Sequence, residues 1–299
     1  MPIGKSIRVY LADATVTGIR YAELVNWTGQ AIACPRSRLS ELQSWPEASK
    51  PGVYLLLERR SDDSKPLAYI GESENVCDRL TTHDRQREFW NEVVIFTSKD
   101  ENLTKAHIKY LEAALVNLSI TADRYNLENV NTPTESCLPR ADRDAMVEFA
   151  DNLRMVLGII GYPIFEPILR VGLSTNVTNQ DDLIEPINPL SDLTFTVNDL
   201  VAHGAVTDEG FVLKRGSFLS KSNTDSLPIR LASKKSRLFE EGAIRDDGDK
   251  YMATEDILFN SSSYAAAIVA GTSRSGPQSW KASNGQTMKQ IEDASLTSE

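Results

Sequence analysis

The sequence predicts an α+β protein: a small three-stranded sheet flanked by helices, preceded by a β-rich N-terminal unit and followed by a separate C-terminal α+β module. Three observations predict it. Short apolar runs of strand length recur at Val53 to Leu57, Leu67 to Ile70 and Glu92 to Thr97. Two longer stretches, Leu103 to Leu118 and Ala141 to about Ile160, carry apolar residues at helical spacing. A tract rich in Ser, Thr, Asn, Asp and Pro, residues 174–192, then separates them from another hundred residues of mixed pattern. The expected units are 1–48, 49–165, a linker over 166–195, and 196–299.

Taken in order, Ile7 to Ala12 and Tyr21 to Val25 are β-like, and Asn26-Trp27-Thr28-Gly29 reads as a turn. A third short run, Ala31 to Ala33, leads to a helix expected near Ser37. Pro51-Gly52 opens the strand at Val53; polar Arg59 to Lys65 is a loop, and Leu67 to Ile70 returns as the second arm of a hairpin. A short helix follows from about Asn75 to His83, burying Val76 and Leu80. Glu92 to Thr97 is apolar on both faces and is expected at the centre of the sheet. Asn102 is the expected N-cap of the helix at Leu103, and Gly161-Tyr162-Pro163 stops the one ending at Ile160. In the last unit, Ser262 or Ser263 is expected to cap an alanine-rich helix.

Composition narrows the function classes. A net charge of −10 and a pI near 5.0 argue against indiscriminate coating of nucleic acid, which draws its affinity from Lys and Arg. Cys34, Cys77 and Cys137 stand far apart, so neither a zinc knuckle nor a disulfide framework is suggested, and a reducing cytosol fits best. The N-terminus has no signal-peptide core, and Met155 to Leu173 is broken by Pro163, Glu166, Pro167 and Arg170, so no membrane span is expected. A cytoplasmic protein is the expectation.

The chemistry-bearing residues concentrate between Gly52 and Asn126: Gly52-Val53-Tyr54, Tyr69-Ile70-Gly71, Arg79, His83, Glu112 and Tyr125-Asn126. On a hairpin, two tyrosines that pair or nearly pair put both phenols on one face of the sheet. Arg79 and His83 share a helix face at i and i+4, and Glu112 stands at the rim of its apolar stripe. Phosphodiester hydrolysis needs an activated nucleophile, a counter-charge for the phosphorane, and commonly a cation. Arg79 suits the counter-charge, since a guanidinium grips two phosphate oxygens at once. A single carboxylate, Glu112, suits one Mg²⁺ or Mn²⁺ ion that keeps several waters. A phenol titrates near pH 10, so phenolate at neutral pH needs ~4 kcal/mol of differential stabilisation. Either Arg79 and a metal supply it to Tyr54, or Tyr54 orients the water while His83 or a metal-bound hydroxide takes the proton.

The ordered set resembles the GIY-YIG nuclease domain over the quarter of the chain from Gly52 to Asn126, with Val53 in place of the isoleucine of the name. The resemblance implies a divalent-metal-dependent endonuclease acting on DNA, in defence against foreign DNA or in repair. By the same resemblance, Tyr54 is the base or water activator, Tyr69 supports the phosphate site, and Arg79 stabilises the transition state. Glu112 binds the metal, Asn126 supports the site, and His83 matches a histidine shared by some branches. The stretch Leu258 to Met288 is similar to an uncharacterised module that recurs at the C-terminus of GIY-YIG proteins and to small domains attached to restriction–modification proteins.

Taken singly, each residue has an ordinary structural reading. Tyr54 and Tyr69 suit a half-buried sheet, Arg79 a solvated helix face, Glu112 a helix rim. His107 falls within an apolar stripe and reads as a core histidine; His203 gets no role, and Trp27 and Trp280 read as core aromatics. Between Phe211 and Phe239 lie seven basic residues, Lys214, Arg215, Lys221, Arg230, Lys234, Lys235 and Arg237, against one acid, Asp225. That island is either a solvated face or a DNA contact. Two other functions stay open: an adaptor that keeps the fold and binds nucleic acid or regulates without cutting, and a nuclease directed at RNA.

Overall fold

The structure, a computed structural model, describes residues 4–59, 65–129, 136–168 and 190–296. The expected loop at 60–64 and most of the expected linker lie outside the described residues. The chain divides into two compact units, Met1–Pro167 and Ile168–Glu299, and is α+β in both. Among the described residues no helix is long and apolar enough to cross a membrane.

The first unit is built on one seven-stranded sheet. In chain order its strands are β1 (Ile7–Leu11), β2 (Arg20–Leu24), β3 (Gly29–Pro35), β4 (Gly52–Leu57), β5 (Leu67–Ser73), β6 (Glu92–Ser98) and β7 (Asn126–Leu127). In space the order is β1-β2-β3-β6-β4-β5-β7, antiparallel throughout except for the parallel β5–β7 pair. Helix α1 (Val76–Gln86) follows β5, α2 (Lys105–Ala122) follows β6, and α3 (Arg140–Ile159) comes last.

The expected hairpin and central third strand are present, but the three-stranded core is part of a larger sheet. Residues 1–48 are not a unit apart: β3 pairs with β6 from Gly29↔Ser98 to Pro35↔Glu92. Six of its seven residues are buried, so β3 reads as a central strand whose backbone polar groups require partners on both sides. The helix expected near Ser37 is two stretches of 3₁₀-helix, Arg36–Ser44 and Pro46–Ser49, with Pro46 opening the second.

Burial on both faces explains why β4 and β6 are buried at every position. Val53, Leu55 and Leu57 pack with Leu111, Leu115, Phe149 and Leu153 of α2 and α3. Tyr54 and Leu56 point the other way, among Val76 and Leu80 of α1 and Ile32, Leu42 and Trp90. Arg36 anchors the C-terminal end of α1: it donates to the Asp84 carboxylate (2.8 Å), the Asp84 carbonyl (2.8 Å) and the Glu88 carbonyl (3.0 Å). The 3₁₀ segment after β3 thus also fixes the helix that carries Arg79 and His83.

Two caps differ from expectation. Thr104, not Asn102, caps α2, and His107 completes the capping box, so His107 is a half-buried cap residue rather than a core histidine. Its Nδ1 lies 2.9 Å from the Asn102 carbonyl, which recruits the ring to the helix start. Trp27 packs against Phe149 in a tilted arrangement with ring centroids 4.8 Å apart, a core contact.

The second unit contains a five-stranded and a three-stranded sheet. The first has β8 (Leu193–Val197), β9 (Leu200–Thr207), β10 (Gly210–Leu213), β14 (Ile257–Phe259) and β15 (Lys281–Ala282), in the order β14-β10-β9-β8-β15. The second has β11 (Phe218–Ser220), β12 (Ile244–Asp247) and β13 (Lys250–Ala253), in the order β11-β13-β12. Its helices are α4 (Ile229–Glu240), α5 (Ser262–Ala270), α6 (Gly276–Ser279) and α7 (Met288–Leu296). Ser261 caps α5, one residue before the expected position, by accepting from the Tyr264 N–H at 3.3 Å. Trp280 is a core aromatic: its ring lies 4.5 Å from Phe211, and its Nε1 donates to the Ser262 carbonyl.

Candidate active site

The site is assembled by strand register. Tyr54 on β4 faces Gly71 on β5, and Leu56 faces Tyr69, so the two tyrosines are diagonal neighbours on the α1 face. Their rings lie 6.3 Å apart. The glycine of each triplet has a steric cause: a Cβ on Gly71 would collide with the Tyr54 hydroxyl and ring, and a Cβ on Gly52 with the Phe96 carbonyl. Both glycines therefore give room to the ladder and to the phenol.

Helix α1 begins at the Asn75 cap, whose side chain accepts from the Asp78 N–H. Its first and second turns bring Arg79 and His83 over the tyrosines. The Tyr54 hydroxyl lies 2.8 Å from His83 Nε2, and the His83 ring lies 5.1 Å from that of Tyr69. His83 is buried, with Nδ1 sequestered and without a hydrogen-bond partner. Burial first, and then the positive Arg79 and Arg87, pull its pKa down to about 4, so the imidazole is neutral at pH 7. The direction of its bond to Tyr54 follows the tautomer: with the proton on Nδ1, Nε2 accepts from the phenol.

Tyr54 is fully buried, and desolvation pushes its phenol above the ordinary value, with Tyr69 adding to the rise; hydrogen bonding to Arg79 opposes both and does not prevail. Of the two routes to a base, a Tyr54 phenolate is therefore the costlier. Arg79 itself is solvent-exposed and interacts with both phenols, so its guanidinium borders the pocket from the open side.

Glu112 reaches the same pocket from α2. It is partly buried, and burial, followed by the neighbouring Glu72 carboxylate, raises its pKa; the Glu72 backbone N–H, Lys105 and Arg79 oppose the rise. Glu72 in turn is paired with Lys105 at 2.8 Å. Neighbouring carboxylates in a partly dry site are the donor chemistry a hard divalent cation takes, with water completing its shell. Among the described residues no three His, Cys, Asp or Glu side chains cluster as a metal site; Glu112, with Glu72 as its neighbour, is the carboxylate that could hold a cation here.

Asn126 does not join this group. It is exposed and pairs through β7 with Leu67, four residues along β5 from Gly71. The asparagine that touches the motif is Asn129, which sequence reasoning missed. Its side chain accepts from the Ile70 N–H (3.0 Å) and donates to the Ile70 carbonyl (2.8 Å), acting as a strand partner for the middle of Tyr69-Ile70-Gly71.

The seven basic residues of the second unit do not form one free cationic face. Lys214 pairs with Asp192 at 2.8 Å and Lys221 with Asp246 at 2.6 Å. Lys235 is buried against Asn223, with its pKa pulled down by burial to about 8. Lys234 lies 5.0 Å over the Phe259 ring, and Arg237 is partly buried; Arg215 and Arg230 are exposed. His203 Nδ1 rests 3.3 Å from the Thr194 hydroxyl.

The family match falls within the second unit. Residues 193–292 match a family model described as a domain of unknown function (DUF4357), and these residues run from β8 into α7. The match covers about a third of the chain and assigns nothing to the first unit. No curated protein and no solved structure matches the chain.

Proposed function

We propose that the first unit is a GIY-YIG-type, divalent-metal-dependent endonuclease that hydrolyses phosphodiester bonds in DNA. One observation carries this reading: the hydrogen-bonded Tyr54–His83 pair, flanked by Tyr69, Arg79 and Glu112 in a single side-chain cluster. Each of these is an ordinary residue alone; together they are an acceptor, a hydroxyl, a phosphate grip and a cation ligand.

In this reading Arg79 holds the non-bridging oxygens of the scissile phosphate and stabilises the charge that develops on them. The Tyr54 hydroxyl positions the attacking water. As the water loses its proton to Tyr54, the phenol proton passes to Nε2 of neutral His83, so no free phenolate forms. The Tyr69 hydroxyl steadies the phosphate, and Asn129 keeps its strand in register. A cation at Glu112 would supply further positive charge for the phosphorane and leaving oxygen.

The test is a cleavage panel on the full chain, with single-stranded, double-stranded and branched DNA and with RNA, each in Mg²⁺ and in chelator. Metal-dependent cutting of DNA is expected. Binding without turnover in Mg²⁺ and Mn²⁺ would identify a non-catalytic adaptor, and cutting confined to RNA would redirect the substrate.

A further inference from the structure

We propose that Arg87 and the groove beside it form a second phosphate subsite, which holds the nucleic-acid strand up to three nucleotides away from the bond cut at Tyr54. The inference rests on the nuclease reading for the word "cut", and on its own observations for the subsite.

Arg87 stands at the C-cap of α1, continuing the i, i+4, i+8 stripe of Arg79 and His83. Its guanidinium lies over the Tyr69 ring, 4.1 Å from the centroid. Stacking occupies the face of a guanidinium and leaves its edge, where the five N–H donors lie, pointing outward. That edge is poorly used. Its charge partner among the described residues is Glu128 at 3.8 Å, too long for a hydrogen bond. Arg36 shows what a structural arginine looks like in the same unit: three hydrogen bonds tie it to Asp84 and Glu88.

Arg87 also lines a groove of about 430 Å³, together with Gln86, Glu88, Phe89 and Glu128. That volume falls within the range of small-ligand sites. Of the two carboxylates that line the groove, Glu88 and Glu128, Glu128 is the one paired with Arg87, beyond hydrogen-bonding range, and a phosphate would replace it at better distance. Arg87 follows Arg79 by eight positions, helical up to Gln86, a rise of about 12 Å, and a B-form strand advances about 3.4 Å per nucleotide. One strand can thus meet both arginines.

The test measures binding of a labelled DNA duplex to the full chain in chelator, by fluorescence anisotropy across a salt series. Arg87→Ala is expected to weaken binding about tenfold, the loss of one charged hydrogen-bonding group, and to reduce the salt slope by about 1. Arg87→Lys should keep the slope, and Glu128→Gln should tighten binding. A slope unchanged in Arg87→Ala, or equal losses in the Ala and Lys variants, would overturn the subsite and show Arg87 to be a support for Tyr69. Wild-type protein that cuts DNA while Arg87→Ala leaves the slope unchanged overturns the subsite alone. An Arg87-dependent slope without cutting retains the subsite and overturns the nuclease. No binding by the wild type overturns the subsite, and no cutting in Mg²⁺ beside it overturns the nuclease as well.

Discussion

Acidification should weaken the first unit through His83 specifically. The buried imidazole has its pKa drawn down from 6.5 to about 4. The unfolded chain therefore takes up a proton near pH 6.5 that the folded chain refuses until about pH 4. Stability is complete above the unfolded value and is lost as pH falls between the two. Linkage for one such group gives a loss of about 2 kcal/mol between pH 7 and pH 5. In a unit of this size that corresponds to a fall in melting temperature of roughly 4–8 °C. Carboxylates titrate in the same range, so the informative comparison is with His83→Gln, which keeps a polar partner for Tyr54 and cannot titrate there. Thermal melts of both proteins by tryptophan fluorescence at pH 7, 6 and 5 would read the difference. The wild type should lose the extra stability and the variant should not. Parallel pH dependence in the two would refute the placement of a neutral, desolvated imidazole against Tyr54.

Three further substitutions test the packing. Gly71→Ala drives a methyl group against the Tyr54 hydroxyl and should cost about 1–3 kcal/mol in urea denaturation, with a loss of any cleavage activity in the same preparation. Asn129→Ala leaves the Ile70 N–H and carbonyl without their side-chain partner and should cost about 2 kcal/mol, read from the denaturation midpoint. Lys235→Met should stabilise the second unit at pH 7 by up to about 3 kcal/mol. The reason is that the wild-type ammonium is held charged in a dry site below its folded pKa of about 8. Consistently, wild-type stability should rise as pH climbs from 8 towards 10.5 while the variant's does not, which calorimetry at pH 7 and 10 would show.

Local order in this chain is legible where it depends on periodicity. The runs at Val53 to Leu57 and Glu92 to Thr97 are strands β4 and β6, and the stripes beginning at Leu103 and Ala141 are helices α2 and α3. Features that depend on long-range register were not legible. Nothing near Asn129 signals that a parallel β5–β7 pair will carry its amide to Ile70, nor that Asn126 will be left at the solvent side. The run Gly29 to Pro35 held a usable signal, a continuous stretch without charge, which is what a strand covered on both faces looks like. The arrangement of the basic island was not legible for a related reason. Neighbours in sequence were dispersed among a strand end, a turn and several faces of α4, where acids from elsewhere, Asp192 and Asp246, neutralise two of them. His83 lay on the expected helix face, but its burial, and hence its neutrality, comes from the packing of α1 on the sheet.

The claim at the centre is that this pocket hydrolyses phosphodiesters with help from a cation at Glu112. Plasmid nicking by wild type and Glu112→Gln, matched for fold by circular dichroism and assayed in Mg²⁺ and in chelator, tests it most directly. Cutting that requires Mg²⁺ and falls at least a hundredfold in the variant is the predicted result. Nicking undiminished in Glu112→Gln, or equal in chelator, would contradict it.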